Sequence, residues 1–158
     1  MPFSIRRATE TEAGDLAQAR ADLFQELEGK LPPAAAIGFK SKCEEAFEKF
    51  MKDGVCVAWI AVSADQSKPV GTLVMLRFPR LPTPGNPGTT EGYILNVIVD
   101  PTWRHQGVAT ALVRAAIDYA KDARFARIRL HATADGAAVY AALGFRERHD
   151  EMELTTWG

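Results

Sequence analysis

Apolar positions recur along this chain at two periods, and the switches between them mark out its elements. Residues 3–7 read as a short first strand. Thr9 then offers a helix N-cap, with Glu12 three residues on as in a capping box. Leu16, Ala19/Arg20, Leu23 and Leu27 follow at helical spacing, and Gly29 marks the end. The Lys30, Leu31, Pro32, Pro33 run cannot continue that helix. A second helix is predicted over about residues 40–52, with Cys43, Phe47, Phe50 and Met51 on its apolar side and Asp53-Gly54 closing it. Residues 55–62 are nearly all apolar, as a strand covered on both faces would be. Residues 65–69 form a turn, and 70–78 a second, largely apolar strand, so the two read as an antiparallel hairpin. Residues 79–88 carry four prolines and two glycines and form an irregular loop.

Residues 93–99 are the next strand, closed by Asp100-Pro101, because proline cannot extend a ladder. After Arg104-His105-Gln106-Gly107 a helix runs to about residue 122. Val108, Leu112, Ala115/Ala116 and Tyr119 form its stripe, and Ala109, Val113, Ile117 and Ala120 widen it. Residues 126–131 alternate, with Ala126, Ile128 and Leu130 on one face and Arg127, Arg129 and His131 on the other. A short helix over about 135–143 ends at Gly144, and one or two final strands are expected from Phe145 to Leu154. The fold class is therefore α/β in the mixed α+β sense: a mixed central sheet of about six to seven strands with helices on both faces, in one domain spanning 1–158.

Composition adds exclusions. The chain has 158 residues, 47% hydrophobic and 25% charged, with no low-complexity tract. Its two cysteines, Cys43 and Cys56, have neither metal nor redox spacing, so no metal site and a cytoplasmic location are expected. The N-terminus lacks a signal-like apolar region, and no run approaches a membrane span, so no membrane partner is expected. A net charge of −1 argues against a nucleic-acid partner, since phosphate backbones select basic surfaces. It leaves open a small anionic ligand held by backbone amides.

The chemistry concentrates between Tyr93 and Thr110, where a strand, a turn, a glycine and a helix follow in order. A helix N-terminus presents unpaired N–H groups and the positive end of a dipole, and small residues let a phosphate reach them. Gly107 and Ala109 are small, and Thr110 adds a hydroxyl, so the turn reads either as a pyrophosphate cradle or simply as a tight strand–helix connection. No GxxxxGK[ST] or GxGxxG pattern is present.

Arg104-x-x-Gly107-x-Ala109 resembles the R/Q-x-x-G-x-G/A signature of the GNAT superfamily of acyl-CoA-dependent N-acetyltransferases. The setting strengthens the resemblance. The motif follows a strand ending in Val-Asp-Pro, opens a helix, and precedes by about thirty residues the stretch Ala137-Ala138-Val139-Tyr140-Ala141-Ala142-Leu143-Gly144-Phe145, similar to that family's helix ending in Tyr-x-x-x-Gly-Phe. The resemblance implies a splayed sheet whose V-shaped gap takes the pantetheine arm of acetyl-CoA along the backbone of Val97, Ile98 and Val99. It implies a pyrophosphate on the amides of His105, Gln106, Gly107, Val108, Ala109 and Thr110, with Arg104 or His105 reaching a phosphate or simply solvated.

Tyr140 would be the general acid, protonating the thiolate that leaves when an amine attacks the thioester directly through a tetrahedral intermediate. A backbone N–H of the 97–99 segment would steady the oxyanion. By pattern alone such a tyrosine is a core aromatic. Where relatives carry a cofactor-contacting Asn, seven positions before the tyrosine, this chain has Thr133.

For the general base, Glu91 and His131 are candidates beside their reading as surface or hydrogen-bonding residues; histidine as a type titrates near neutrality. Strict alternation would put Glu91, Tyr93, Leu95 and Val97 on one face and Asn96 on the other. Asn96, polar within an apolar strand, requires a partner, either substrate or backbone. The acceptor site is expected between the connection from Pro32-Pro33 to Phe39 and the 79–88 loop, with Phe39 in it and Trp59 and Met75 in the core. Glu147, His149 and Glu151 read as a solvated face. The acceptor expected is a small-molecule amine. A protein N-terminus or lysine, and an acyl-CoA-binding module without turnover, are the alternatives. Family relatives are often dimers, which implies a homodimer here.

Overall fold

The computed structural model describes residues 2–29, 32–65 and 68–158. Five strands form one sheet in the order of the chain: β1 (Phe3–Arg7), β2 (Cys56–Ser63), β3 (Pro69–Pro79), β4 (Thr90–Val99) and β5 (Arg127–Leu130). The first three pairings are antiparallel and β4 to β5 is parallel. A parallel neighbour needs a crossover, and α3 (Val108–Asp122) supplies it. The other helices are α1 (Ala13–Glu28), α2 (Pro33–Lys52) and the single-turn α4 (Ala137–Ala142).

Two cores lie on the two faces of the sheet. On one, Val108, Leu112, Val113 and Ala116 of α3 pack on Trp59, Leu73, Met75 and Ile94. On the other, Leu16 and Ala17 of α1 and Phe47 of α2 pack on Ala58, Ile60 and Val74. This explains the unbroken apolar run of β2: its alternate residues bury against different helices, so neither parity can be polar. Trp59 and Met75 are core residues, as expected. A Cβ on Gly71 would stand 2.9 Å from a methyl of Val108, so glycine there lets α3 lie close to β3.

The capping box at Thr9 is present. The Thr9 N–H donates to Glu12 Oε1 at 3.0 Å, and Glu12 also takes Arg6 Nη2 at 2.8 Å, tying β1 to the start of α1. The Arg6 hydrogen bond, opposed by partial burial, takes the Glu12 carboxyl down to about 2. Its contribution is therefore complete above the ordinary carboxylate range and lost as pH falls through about 2. Glu12→Ala is expected to cost about 1–2 kcal/mol in urea unfolding at pH 7. The difference from the parent should shrink as the pH is lowered below 4.

Three expectations are corrected. The second helix begins at Pro33, seven residues earlier than its apolar pattern suggests. Proline is suited to a first helical turn, where its missing N–H is not needed, and Ala34, Ala35 and Ala36 are strong helix formers. Much of the expected irregular connection to Phe39 is thus helical; its Lys30–Leu31 step lies outside the described residues, as does Gln66–Ser67 of the β2–β3 turn. The final strands are absent among the described residues, which leaves five strands in place of six to seven. From Arg146 to Glu151 every residue is charged or a histidine and Arg148 pairs locally with Asp150 at 2.6 Å, so the segment offers no apolar face to β5. The last expected helix is also shorter, Ala137–Ala142.

Candidate active site

The sheet opens where β4 leaves β5. Their parallel pairing runs from Glu91↔Arg127 to Ile94↔Leu130 and stops, whereas β4 continues to Val99 alongside β3 alone. The β5-side edge of Leu95–Val99 therefore carries no ladder, which gives the splay expected around Val97, Ile98 and Val99.

A β-bulge sits in that stretch. Thr72 faces Ile98 and Val74 faces Leu95, so Leu73 opposes two residues, Asn96 and Val97. Asn96 takes φ 53°, a left-handed conformation that asparagine tolerates better than most residues. The extra residue breaks the alternation expected from the sequence. Leu95 packs in the α1/α2 core and Asn96 bonds Arg20 of α1, while Val97 and Val99 turn to the α3 side. Asn96 and Leu95 share a face, and Val97 lies on the opposite one.

Beyond β4, Asp100 closes the strand by accepting from the Thr102 N–H at 3.0 Å and the Thr102 hydroxyl at 2.8 Å. These bonds hold its carboxyl below the usual range. Trp103 is buried, which pins the turn to the core, and His105 (φ 61°) and Gly107 (φ 86°) reverse the chain into α3. The first intrahelical bond is Ala111 N–H to Gly107 O at 3.0 Å, so the amides of Val108, Ala109 and Thr110 have no carbonyl within the helix. A Cβ on Gly107 would meet nothing within 4 Å, so the turn is open on that side. Val108 itself points its side chain into the core, leaving only its amide for a ligand. Gln106 Nε2 donates to Thr102 O at 3.0 Å, and Arg104 Nε to Val99 O at 3.2 Å, with Arg104 Nη2 3.6 Å from Glu26. These side chains brace the turn. The exposed turn, its free amides and the bare β4 edge fit an anionic, elongated group such as CoA.

On the other side of the opening, Tyr93, His131, Thr133 and Tyr140 line one cavity of about 1050 Å³. Tyr140 packs edge-on to Phe145, with centroids 5.8 Å apart, and burial pushes its phenol above the ordinary value. Thr133 Oγ1 accepts from the Gly136 N–H at 3.2 Å, shaping the turn into α4. His131 Nδ1 is hydrogen-bonded to the Tyr93 hydroxyl, and its Nε2 lies 3.9 Å from Glu151.

Glu91 is not placed as a base. It is buried, accepts from Arg127 Nε at 2.6 Å and Arg129 Nη2 at 2.8 Å, and has Arg80 Nε at 4.0 Å. Burial raises its pKa, but the two arginines outweigh this and hold it below the usual range. Both oxygens are engaged, so the carboxylate fits a structural anion joining β4 to β5. Glu91→Gln is expected to destabilise by about 2 kcal/mol because Arg80 and Arg127 lose their counter-charge and Arg129 keeps only Glu151. Chemical denaturation at pH 7 measures this, and the difference should shrink as Glu91 itself protonates in acid.

Phe39 lies on α2, edge-on to Phe24 of α1 with centroids 5.4 Å apart. The Arg20 guanidinium sits 4.9 Å from the centre of the Phe24 ring and bonds Asn96, so Phe39 and Asn96 belong to one continuous cluster. Arg20 is the residue the sequence pattern hid, since its spacing placed it in the apolar stripe of α1. Burial pushes the Cys56 thiol up to about 11, which removes it as a nucleophile.

Residues 20–145 match the family described as Acetyltransferase (GNAT) family, and the chain belongs to it. Comparison with curated protein sequences finds no significant match. Among solved structures, the chain is similar to a predicted acetyltransferase with acetyl-CoA from Clostridium acetobutylicum, at 25% identity and TM-score 0.83, covering 98% of this chain and 96% of that one. A GCN5-related N-acetyltransferase from Ralstonia eutropha matches at 23% identity and TM-score 0.83, covering 99% and 100%. Glucosamine-6-phosphate N-acetyltransferase from Arabidopsis thaliana shares the fold at 18% identity and TM-score 0.71, covering 99% of each chain. No described helix is long and apolar enough to cross a membrane.

Proposed function

We propose that this chain transfers an acetyl group from acetyl-CoA to the nitrogen of a small-molecule amine by direct attack. The observation that carries this reading is the unpaired β4 edge beyond Ile94 running on to the N-terminus of α3, with Tyr140 packed against the same core as Val97, Val99 and Val108. Amides of Val108, Ala109 and Thr110 hold the pyrophosphate, aided by the helix dipole. Backbone groups of Val97, Ile98 and Val99 hold the pantetheine arm as an added strand would be held. His131, fixed by Tyr93, takes the proton from the acceptor ammonium directly or through a water. The amine then forms a C–N bond to the thioester carbonyl carbon, giving a tetrahedral intermediate whose oxyanion a 97–99 N–H stabilises. As the C–S bond breaks, the Tyr140 hydroxyl gives its proton to the departing sulfur, and the surplus proton on the new amide nitrogen returns to the phenolate directly or through a water, which restores Tyr140.

Free-thiol release from acetyl-CoA, measured against a panel of amines, tests the activity. Amine-dependent release with a matching acetylated product supports it. Tight acetyl-CoA binding with no release for any amine would leave only a binding module. His131→Ala is expected to lower kcat/KM by about 10²-fold. An unchanged kcat/KM would remove His131 from the proton path.

A further inference from the structure

Arg20 and Asn96 meet at the β4 bulge, and each lacks a partner that its chemistry requires. Asn96 is only 7% exposed. Its Oδ1 accepts from Arg20 Nη1, while its Nδ2 is buried with no hydrogen-bond partner among the described residues. Buried amide donors are nearly always satisfied, so an orphan at this position marks a place for an acceptor atom. Arg20 is half-buried, stacked on Phe24 and in polar contact with the Cys43 thiol. Among the described residues no carboxylate lies within hydrogen-bonding reach of its guanidinium. A partly desolvated cation without a counter-ion is costly unless a ligand supplies one.

The pair is also in the right place. The β4–β5 ladder ends at Ile94↔Leu130, so Asn96 stands two residues into the opening, on the sheet face opposite Val97 and Val99. The ring of Phe24, backed by Phe39, gives the cluster an apolar wall.

We infer that Arg20 and Asn96 select the acceptor, and that the acceptor is an amine carrying an oxyanion, a carboxylate or a phosphate, close to the nitrogen that is acylated. The inference rests on the transferase reading above. Guanidinium and amide N–H groups are donors only, and their complement is a group with several acceptor oxygens. A diamine would instead bring a second ammonium against Arg20.

The test compares kcat/KM for matched amines: α-amino acids against their carboxamides, aminoalkyl phosphates against the corresponding amino alcohols, and α,ω-diamines. The anionic member of one pair should be preferred by about tenfold or more, and which pair shows it separates carboxylate from phosphate. Arg20→Gln, and Asn96→Asp, which keeps the side-chain shape and the tolerance of positive φ, should each reduce that preference about tenfold, chiefly through KM. Acetyl-CoA affinity, measured by calorimetry on the same proteins, should stay within about twofold. Equal rates across the pairs, a preference for diamines, or a preference untouched by both variants would overturn the inference. So would a protein that binds acetyl-CoA and acetylates no anionic amine in the panel. A protein that does not bind acetyl-CoA removes the transferase reading instead, and this inference falls with it.

Discussion

Tyr140→Phe should lower kcat by about 10²-fold or more while leaving the affinity for acetyl-CoA unchanged. The substitution keeps the ring that packs edge-on to Phe145 and removes only the hydroxyl, so the fold and the cavity wall persist. What is lost is a proton donor at the point where thiolate charge develops. Burial raises the phenol above its ordinary value, which keeps it protonated across the physiological range, as an acid requires. On the alkaline side the parent enzyme should therefore keep its activity until the phenol ionises in strongly alkaline solution, and the variant should lack that limb. Steady-state release of CoA thiol, together with a binding titration on the same preparation, separates the two quantities. Unchanged kcat in the variant would show that Tyr140 is a packing residue.

Gly107→Val should weaken acetyl-CoA binding by about tenfold or more, with the folded structure retained. The steric environment does not oppose the side chain, because a Cβ there would meet no atom within 4 Å. The opposition comes from the backbone: Gly107 has φ 86°, and a β-branched residue in the left-handed region costs about 1–2 kcal/mol. Relief of that strain would rotate the turn and turn the amides of Val108 and Ala109 away from a common target. The valine methyls would also stand in the open space through which a phosphate approaches. Gly107→Ala separates these effects, since it shares the backbone strain but adds little bulk. Equal affinity in parent and valine variant would remove the cradle.

Long apolar repeats were read correctly from the sequence because burial on one or two faces leaves a period behind. The β2–β3 hairpin and α3 are of this kind, and the capping box at Thr9 was legible from the spacing of Thr9 and Glu12. Features set by local backbone geometry were harder. The bulge at Asn96–Val97 inserts one residue, so faces inferred by alternation invert beyond it; a lone polar residue in an apolar strand was the available sign. The start of α2 was missed because Ala34, Ala35 and Gly38 contribute no apolar stripe, even though proline and alanine suit a first turn. Glu91 was placed on the right face, but a carboxylate's role depends on its neighbours in space. Two of them, Arg127 and Arg129, are more than thirty residues away in sequence. Arg20 was hidden for the same reason: its partner Asn96 lies on a different element, and helical spacing alone cannot separate a guanidinium facing a core from one facing a ligand.

Calorimetric titration of the purified protein with acetyl-CoA tests the central claim most directly. The geometry of the β4 edge and the α3 amides predicts saturable binding in about the micromolar range, one site per chain, weakened in Gly107→Val. Absence of binding up to about millimolar ligand would contradict it, leaving the fold without the chemistry assigned to it.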